Sequence, residues 1–236
     1  IPMPHLELDE KDMKYVMGFF PLIGLITGAL AYGWIYAGEI LYVPDISRTL
    51  VLIILPVIIT GGIHVDGYMD TCDALNSYGD REKKLAILKD SHIGAFAVIK
   101  LLVYYVLYFA AAFIVVQKAG NMQIIIMVFT FYLSRIFSGL AAVNFRGARN
   151  NGMLHTFTSV TATKRVNIML VIQLVLCVSC MCMCSIITAA AVAAVAFLGL
   201  LYYRHMAYKQ FGGVTGDLAG YLLCVSELCM TAAIAV

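Results

Sequence analysis

VNIMLVIQLVLCVSCMCMCSIITAAAVAAVAFLGLLYY, residues 166–203, is a run of 38 residues without one charged side chain. An α-helix rises about 1.5 Å per residue, so about 20 apolar residues cross the ~30 Å hydrocarbon core of a bilayer. The run is close to twice that length. It reads as two spans, Val166–Cys184 and Ser185–Tyr203, joined by a tight hairpin near Ser185. In lipid each backbone N–H and C=O must be satisfied internally, and an unbroken apolar run meets that demand as helix. Cys177, Cys180, Cys182 and Cys184 sit in the first half of the run with no acid or His beside them. They read as small hydrophobes rather than metal ligands or half-cystines.

Working outward, five more apolar segments reach spanning length: Val16–Ala37, Ser47–Ile63, Gly94–Val116, Met122–Val143 and Leu218–Val236. The fold class is therefore all-α, a polytopic membrane protein of about seven transmembrane helices, with residues 1–236 forming a single integral membrane domain. Composition agrees: 62% of residues are hydrophobic and 13% charged, with a mean hydropathy of +0.89, where a soluble domain carries about 25% charged residues. A net charge of +2 without any Lys/Arg run argues against nucleic acid. Ile1 to Tyr15 is polar and mixed in charge, not the pattern of a cleavable signal peptide. Basic residues test the orientation. Lys11, Lys14, Arg81, Lys83, Lys84, Lys89, Arg146, Arg149, Lys164, Arg165, Arg204 and Lys209 fall on one side of these spans, and only Arg48 and Lys118 on the other. The positive-inside rule then predicts a cytoplasmic N-terminus.

The longest polar stretch, about 62–93, follows the second span and is expected to be a cytoplasmic catalytic loop. It opens Gly61-Gly62-Ile63-His64-Val65-Asp66-Gly67-Tyr68-Met69-Asp70-Thr71-Cys72-Asp73 and runs on to Lys89-Asp90-Ser91. Asp66, Asp70 and Asp73 are spaced i, i+4, i+7, within about 60° of one another on a helix. Three carboxylates on one face repel unless a cation lies among them. Oxygen ligands of this kind suit Mg²⁺ or Mn²⁺. A solvated acidic face is the bland alternative. These acids instead alternate with Val65, Tyr68, Met69 and Cys72 at a membrane edge, where unpaired carboxylates are costly. Gly61 and Gly62 either stop a helix or let a substrate approach the backbone. His64 is a candidate general base, against an ordinary interfacial role. Asp80 and Asp90 flank a short amphipathic helix, Arg81–Lys89, which Asp80 could N-cap.

Three further features carry chemistry. Arg135 lies inside the fourth span, where a charge points to function; its fork suits an anionic oxygen, or it pairs with a carboxylate of the cluster. Lys100 lies two turns into the third span and can snorkel. Phe211-Gly212-Gly213-Val214-Thr215-Gly216-Asp217 is a Gly-rich turn whose N–H groups can cradle phosphate, with Asp217 either completing a metal site or capping a helix. Glu227 is a lone acid inside the last span.

Together these pieces resemble the cobalamin synthase family (CobS, adenosylcobinamide-GDP ribazoletransferase). The resemblance rests on Phe20-Pro21-Leu22-Ile23-Gly24 with Gly28, the Gly61-to-Asp73 block with Ala74-Leu75, and Arg81-Glu82 through Ile87-Leu88-Lys89-Asp90-Ser91-His92-Ile93-Gly94-Ala95-Phe96. Arg135, Arg149-Asn150-Asn151-Gly152-Met153, and Phe211 to Asp217 with Glu227 extend it across nearly the whole chain. His92 is a small departure, at a position expected to be variable and often basic. The resemblance implies a late step of coenzyme B12 assembly at a prokaryotic cell (inner) membrane, with the site on the cytoplasmic face. A hydroxyl of α-ribazole, or of its 5′-phosphate, attacks the phosphate carrying cobinamide in adenosylcobinamide-GDP, and GMP leaves. On that reading Asp66, Asp70 and Asp73 bind Mg²⁺, and Asp90 and Asp217 stand behind them. Arg135 or Arg81 holds the GMP phosphate, and His64 or a carboxylate takes the hydroxyl proton. Ser91, Gly61, Gly62, Arg149, Gly213 and Thr215 contact substrate. The partners implied are corrinoid and nucleoside small molecules and membrane lipid, leaving open a homo-oligomer or association with other B12-assembly enzymes.

Rival classes fit less well. A membrane prenyltransferase would carry a second acidic motif, yet the loop from Asn144 to Arg165 has no acid. A CDP-alcohol phosphotransferase wants Ala-Arg where Asp70-Thr71 stands. A transporter would show internal repeats and midplane acids, whereas here the acids cluster at one face.

Overall fold

The computed structural model describes residues 13–118, 120–149 and 152–236; Lys11, Asn150 and Asn151 lie outside the described residues. The described chain is helical, with one isolated backbone bridge, Gly147 to Val214. Six helices have the length and apolarity to cross a membrane. They are α1 (Val16–Ile40), α5 (Ala95–Lys118), α6 (Asn121–Asn144), α8 (Thr163–Cys184), α9 (Ile186–Phe211) and α10 (Gly216–Ala235). A seventh crossing is available only if α2 (Asp45–Thr60) and α3 (Ile63–Asn76) are one broken span, for they meet at 95°. The fold class expected from sequence is the one found.

The 38-residue run folds as expected. Ser185 alone is extended between α8 and α9 (φ −161°, ψ 116°), and its hydroxyl accepts from the Thr188 N–H. One residue reverses the chain and caps the next helix.

The polar stretch 62–93 carries two helices, α3 and α4 (Arg81–Ile87), the second close to the short helix expected over Arg81–Lys89. Gly61 and Gly62 are both left-handed, at φ 65° and 83°, a conformation open to glycine at little cost. They end α2 and swing α3 inward against α10 and α5. This places the two glycines at a bend between helices. Asp80 caps α4, as expected, by accepting from the Lys83 N–H.

α6 is the buried axis of the bundle, with Phe131, Leu133 and Ile136 fully enclosed. α1 crosses it backbone to backbone. A Cβ on Gly24 would stand 2.2 Å from the Phe131 carbonyl oxygen, and one on Gly28 2.5 Å from that of Val128. Small residues four apart are the usual device for close helix approach in lipid. The outer faces of α5, α8 and α9 present Leu102, Val106, Ile172, Leu176, Phe197 and Leu198, which suits a hydrocarbon solvent.

α3 reaches α10 by the same device. A Cβ on Gly67 would lie 2.7 Å from the Asp217 carbonyl oxygen, and one on Gly220 2.7 Å from that of His64. Backbone cannot yield there, so Gly67→Ala is expected to cost about 1–3 kcal/mol of overpacking, read as a lower unfolding temperature in detergent. Gly33→Ala, where nothing lies within 4 Å, is expected to be neutral or stabilising, because alanine favours helix. Equal destabilisation by both would remove this account of the crossing.

Candidate active site

The acids of α3 do not act as three equivalents. Asp73 turns toward α5: its two oxygens accept the N–H groups of Gly94 and Ala97 at 2.7 and 2.8 Å. It satisfies donors that the start of α5 would otherwise leave open, and its negative charge suits that end of the helix. Gly94 is the residue that allows this, since a Cβ there would stand 2.6 Å from the Asp73 carboxylate. Asp66 is exposed and Asp70 half-buried. Asp70 feels the charges of Asp66, Asp217 and Asp73. Asp217, in the first turn of α10, is also half-buried, and its backbone touches Gly67, between Asp66 and Asp70. Thr215, rather than Asp217, caps α10, accepting from the Leu218 N–H at 3.3 Å.

Among the described residues no three His, Cys, Asp or Glu side chains are placed to hold one metal ion. Asp73 turns to α5 rather than grouping with Asp66 and Asp70. Asp66 and Asp70, with Asp217 opposite, still offer oxygen donors of the kind Mg²⁺ takes. That ion is commonly held by one or two carboxylates plus substrate phosphate oxygens. The donor set fits an ion arriving with a diphosphate rather than one caged by the protein alone.

Beside this acidic face lies a cleft of about 570 Å³ lined by Arg81, Lys89, Arg146, Arg149 and His155, with Asp217 its one acid among the described residues. Its floor is a clip of two loops. Val214 N–H donates to Arg146 C=O and Ala148 N–H to Val214 C=O, both at 2.9 Å. The Tyr208 hydroxyl accepts from the Arg146 N–H at 2.8 Å. Gly213 permits the clip, because a Cβ would lie 2.5 Å from the Arg146 carbonyl oxygen. The Arg81 guanidinium rests on Gly212, whose φ is 74°. Arg149 donates to the Leu85 carbonyl; burial lowers its pKa and the Asp217 charge works the other way. Anionic oxygens entering here meet several guanidinium groups, of which Arg149 is held by its bond to Leu85.

Other sequence candidates fall elsewhere. His64 points to a small interior cavity of about 20 Å³ shared with Arg135, Tyr108 and Glu227. Arg135 is sealed in the bundle. Its Nη1 donates to Glu227 Oε1 at 2.7 Å and to the Phe131 carbonyl at 2.9 Å, while Ser134 Oγ donates to Glu227 Oε1 at 3.0 Å. Arg135 thus pairs with Glu227, not with an acid of α3 and not with a group in the cleft. Asp90 and Ser91 are exposed and do not line the cleft. The His92 N–H, 3.0 Å from Asp90 Oδ1, holds that carboxyl below its usual range, with the His92 ring assisting. Lys100 is exposed on α5. All seven cysteines are free.

The family model described as Cobalamin-5-phosphate synthase matches residues 1–235. The chain belongs to this family. Three curated relatives carry the name adenosylcobinamide-GDP ribazoletransferase. The Lachnoclostridium phytofermentans protein is 42% identical over 97% of this chain and 86% of its own length. The Clostridium perfringens protein is 34% identical over 96% and 89%. The Fusobacterium nucleatum protein is 30% identical over 97% and 90%. No solved structure matches the chain. Both the α3 acids and the Gly-rich turn lie within the part matched by the cobalamin-5-phosphate synthase family. In sequence Lys89, Arg146 and Gly67 carry no site role of their own, and His155 and Gly220 stand outside the motifs. The two glycines, isolated in helical stretches, were the one local sign that a backbone approaches there.

Proposed function

We propose that this chain is a multi-pass transferase of a prokaryotic cell (inner) membrane that joins adenosylcobinamide-GDP to α-ribazole, or its 5′-phosphate. The products are GMP and adenosylcobalamin, or its 5′-phosphate, and the reaction uses Mg²⁺. The observation that carries this is the meeting of opposite charge at one end of the bundle: Asp66, Asp70 and Asp217 abut a preformed cationic cleft. The names of full-length relatives supply the substrates. The excess of Lys and Arg at that end supports a cytoplasmic face for the site.

The bond that forms joins the acceptor's hydroxyl oxygen to the phosphorus bearing cobinamide. The bond that breaks links that phosphorus to the bridging oxygen, which departs with GMP. Asp66 and Asp70, with Asp217, would hold Mg²⁺, which when bound would neutralise charge on the diphosphate oxygens. Arg81 and Arg149 take up negative charge across the cleft. The proton of the attacking hydroxyl goes to a carboxylate of this group, since His64 faces the interior cavity. Positioning and charge neutralisation dominate in phosphoryl transfer, which suits a site built from guanidinium groups and carboxylates.

The test is turnover by the purified chain in detergent with adenosylcobinamide-GDP and α-ribazole, with and without Mg²⁺. The expected result is Mg²⁺-dependent release of one GMP per complete cobamide formed. A folded chain that makes no cobamide overturns the proposal.

A further inference from the structure

We infer that the cationic cleft is a separate subsite for a nucleoside 5′-monophosphate, and that it holds the leaving GMP without help from the metal. This rests on the transferase reading above for the identity of the nucleotide, but the binding it predicts can be tested alone.

The charge division is the first argument. The acids Asp66 and Asp70 lie on α3 outside the cleft, whereas Lys89, Arg146, Arg149 and His155 line it. Asp217 stands at the boundary, lining the cleft while its backbone meets α3. A diphosphate laid across Asp217 would have one phosphate at the acidic face and the other among cations. Only the first needs a metal to approach carboxylates; the second is neutralised by the protein itself. A phosphate monoester left in the cleft after the bridging bond breaks gains charge, and the cations bind it more strongly.

Size and rigidity are the second. About 570 Å³ lies within the 300–1,000 Å³ usual for small-molecule pockets. The floor is fixed by the two-way bonding of Arg146, Ala148 and Val214 and by the Tyr208 hydroxyl. The backbone of the floor needs little ordering on binding, and the exposed Arg81, Lys89 and Arg146 side chains close on the phosphate. The shared chemistry is a phosphate ester, which a lipid headgroup also offers, so the test separates the two.

The experiment is equilibrium binding of labelled GMP to the full chain in phosphatidylcholine nanodiscs with EDTA present. Expected is saturable binding, displaced by unlabelled GMP and much less by guanosine. Arg146→Ala, which leaves the backbone bonds of that residue in place, raises Kd tenfold or more. Lys89→Ala acts in the same direction, and Asp70→Asn shifts Kd by less than twofold. The inference is overturned if GMP does not bind, if binding requires Mg²⁺ or falls in Asp70→Asn, or if guanosine competes equally. It is also overturned if phosphatidylglycerol in the nanodisc displaces GMP, which would make the cleft a headgroup site. Binding that meets every expectation in a chain that forms no cobamide would keep the subsite and sink the transferase reading.

Discussion

Asp70→Asn is expected to lower turnover by about 10³-fold and, at the same time, to raise the unfolding temperature. The first effect corresponds to about 4 kcal/mol of lost transition-state stabilisation, the order expected when a group that helps neutralise a reacting diphosphate is removed. The second follows from what surrounds the residue. Asp66 lies one turn before it, Asp73 one turn after, and Asp217 faces it from α10. Burial of the charged carboxylate is the larger cost and repulsion by these acids the smaller, each like-charge pair adding a few tenths of a kcal/mol, so a neutral, isosteric amide relieves both. Salt screens charge pairs near the surface, and the stability gain is therefore expected to shrink toward 1 M salt while the loss of turnover persists. Thermal unfolding in detergent at two ionic strengths, beside the activity assay, reads both. Unaltered turnover, or a chain made less stable by the substitution, would remove the carboxylate-site argument. A site that opposes folding and serves chemistry is a common bargain in enzymes.

Glu227→Ala is expected to cost about 3–5 kcal/mol of stability, because it leaves the Arg135 guanidinium buried and uncompensated. Arg135 is 1% exposed and Glu227 5%, and both lie well inside their helices, where water cannot take the partner's place. Arg135 Nε already lacks a hydrogen-bond partner, so the remaining charge has little else to turn to. Replacing both, as Arg135→Met with Glu227→Leu, is expected to cost less than the single change, since apolar pairs of similar volume can substitute for buried ion pairs. Unfolding of the two variants in detergent separates the cases. A double variant as damaged as the single one would mean that the pair is not a self-contained unit. This placement makes Arg135 a clamp between α6 and α10, the helix whose first turn bears Asp217.

How much of this could be read along the chain differs from element to element. The 38-residue run and its reversal at Ser185 were legible, because apolar length and an N-cap hydroxyl are local properties. The candidate acids were legible as a group for the same reason: three carboxylates at i, i+4, i+7 share a face wherever the helix lies. Their separate roles were not. Whether Asp73 faces a cation or the start of α5 depends on where residue 94 arrives, and no local pattern carries that. The choice of Glu227 over an α3 acid as partner for Arg135 was likewise settled by how α10 packs on α6. Lys89, Arg146, Arg149 and His155 are scattered basic residues in sequence and become a cleft only once the Gly147–Val214 bridge draws their loops together. By itself, then, the sequence determined a polytopic helical membrane protein with its acids at one face, since hydrophobic length and helical periodicity act within one segment. Only the tertiary structure decided which acids remain open to substrate and which cations meet them. Those assignments depend on helix crossings as close as Gly67 against Asp217, set by packing between segments far apart in the chain.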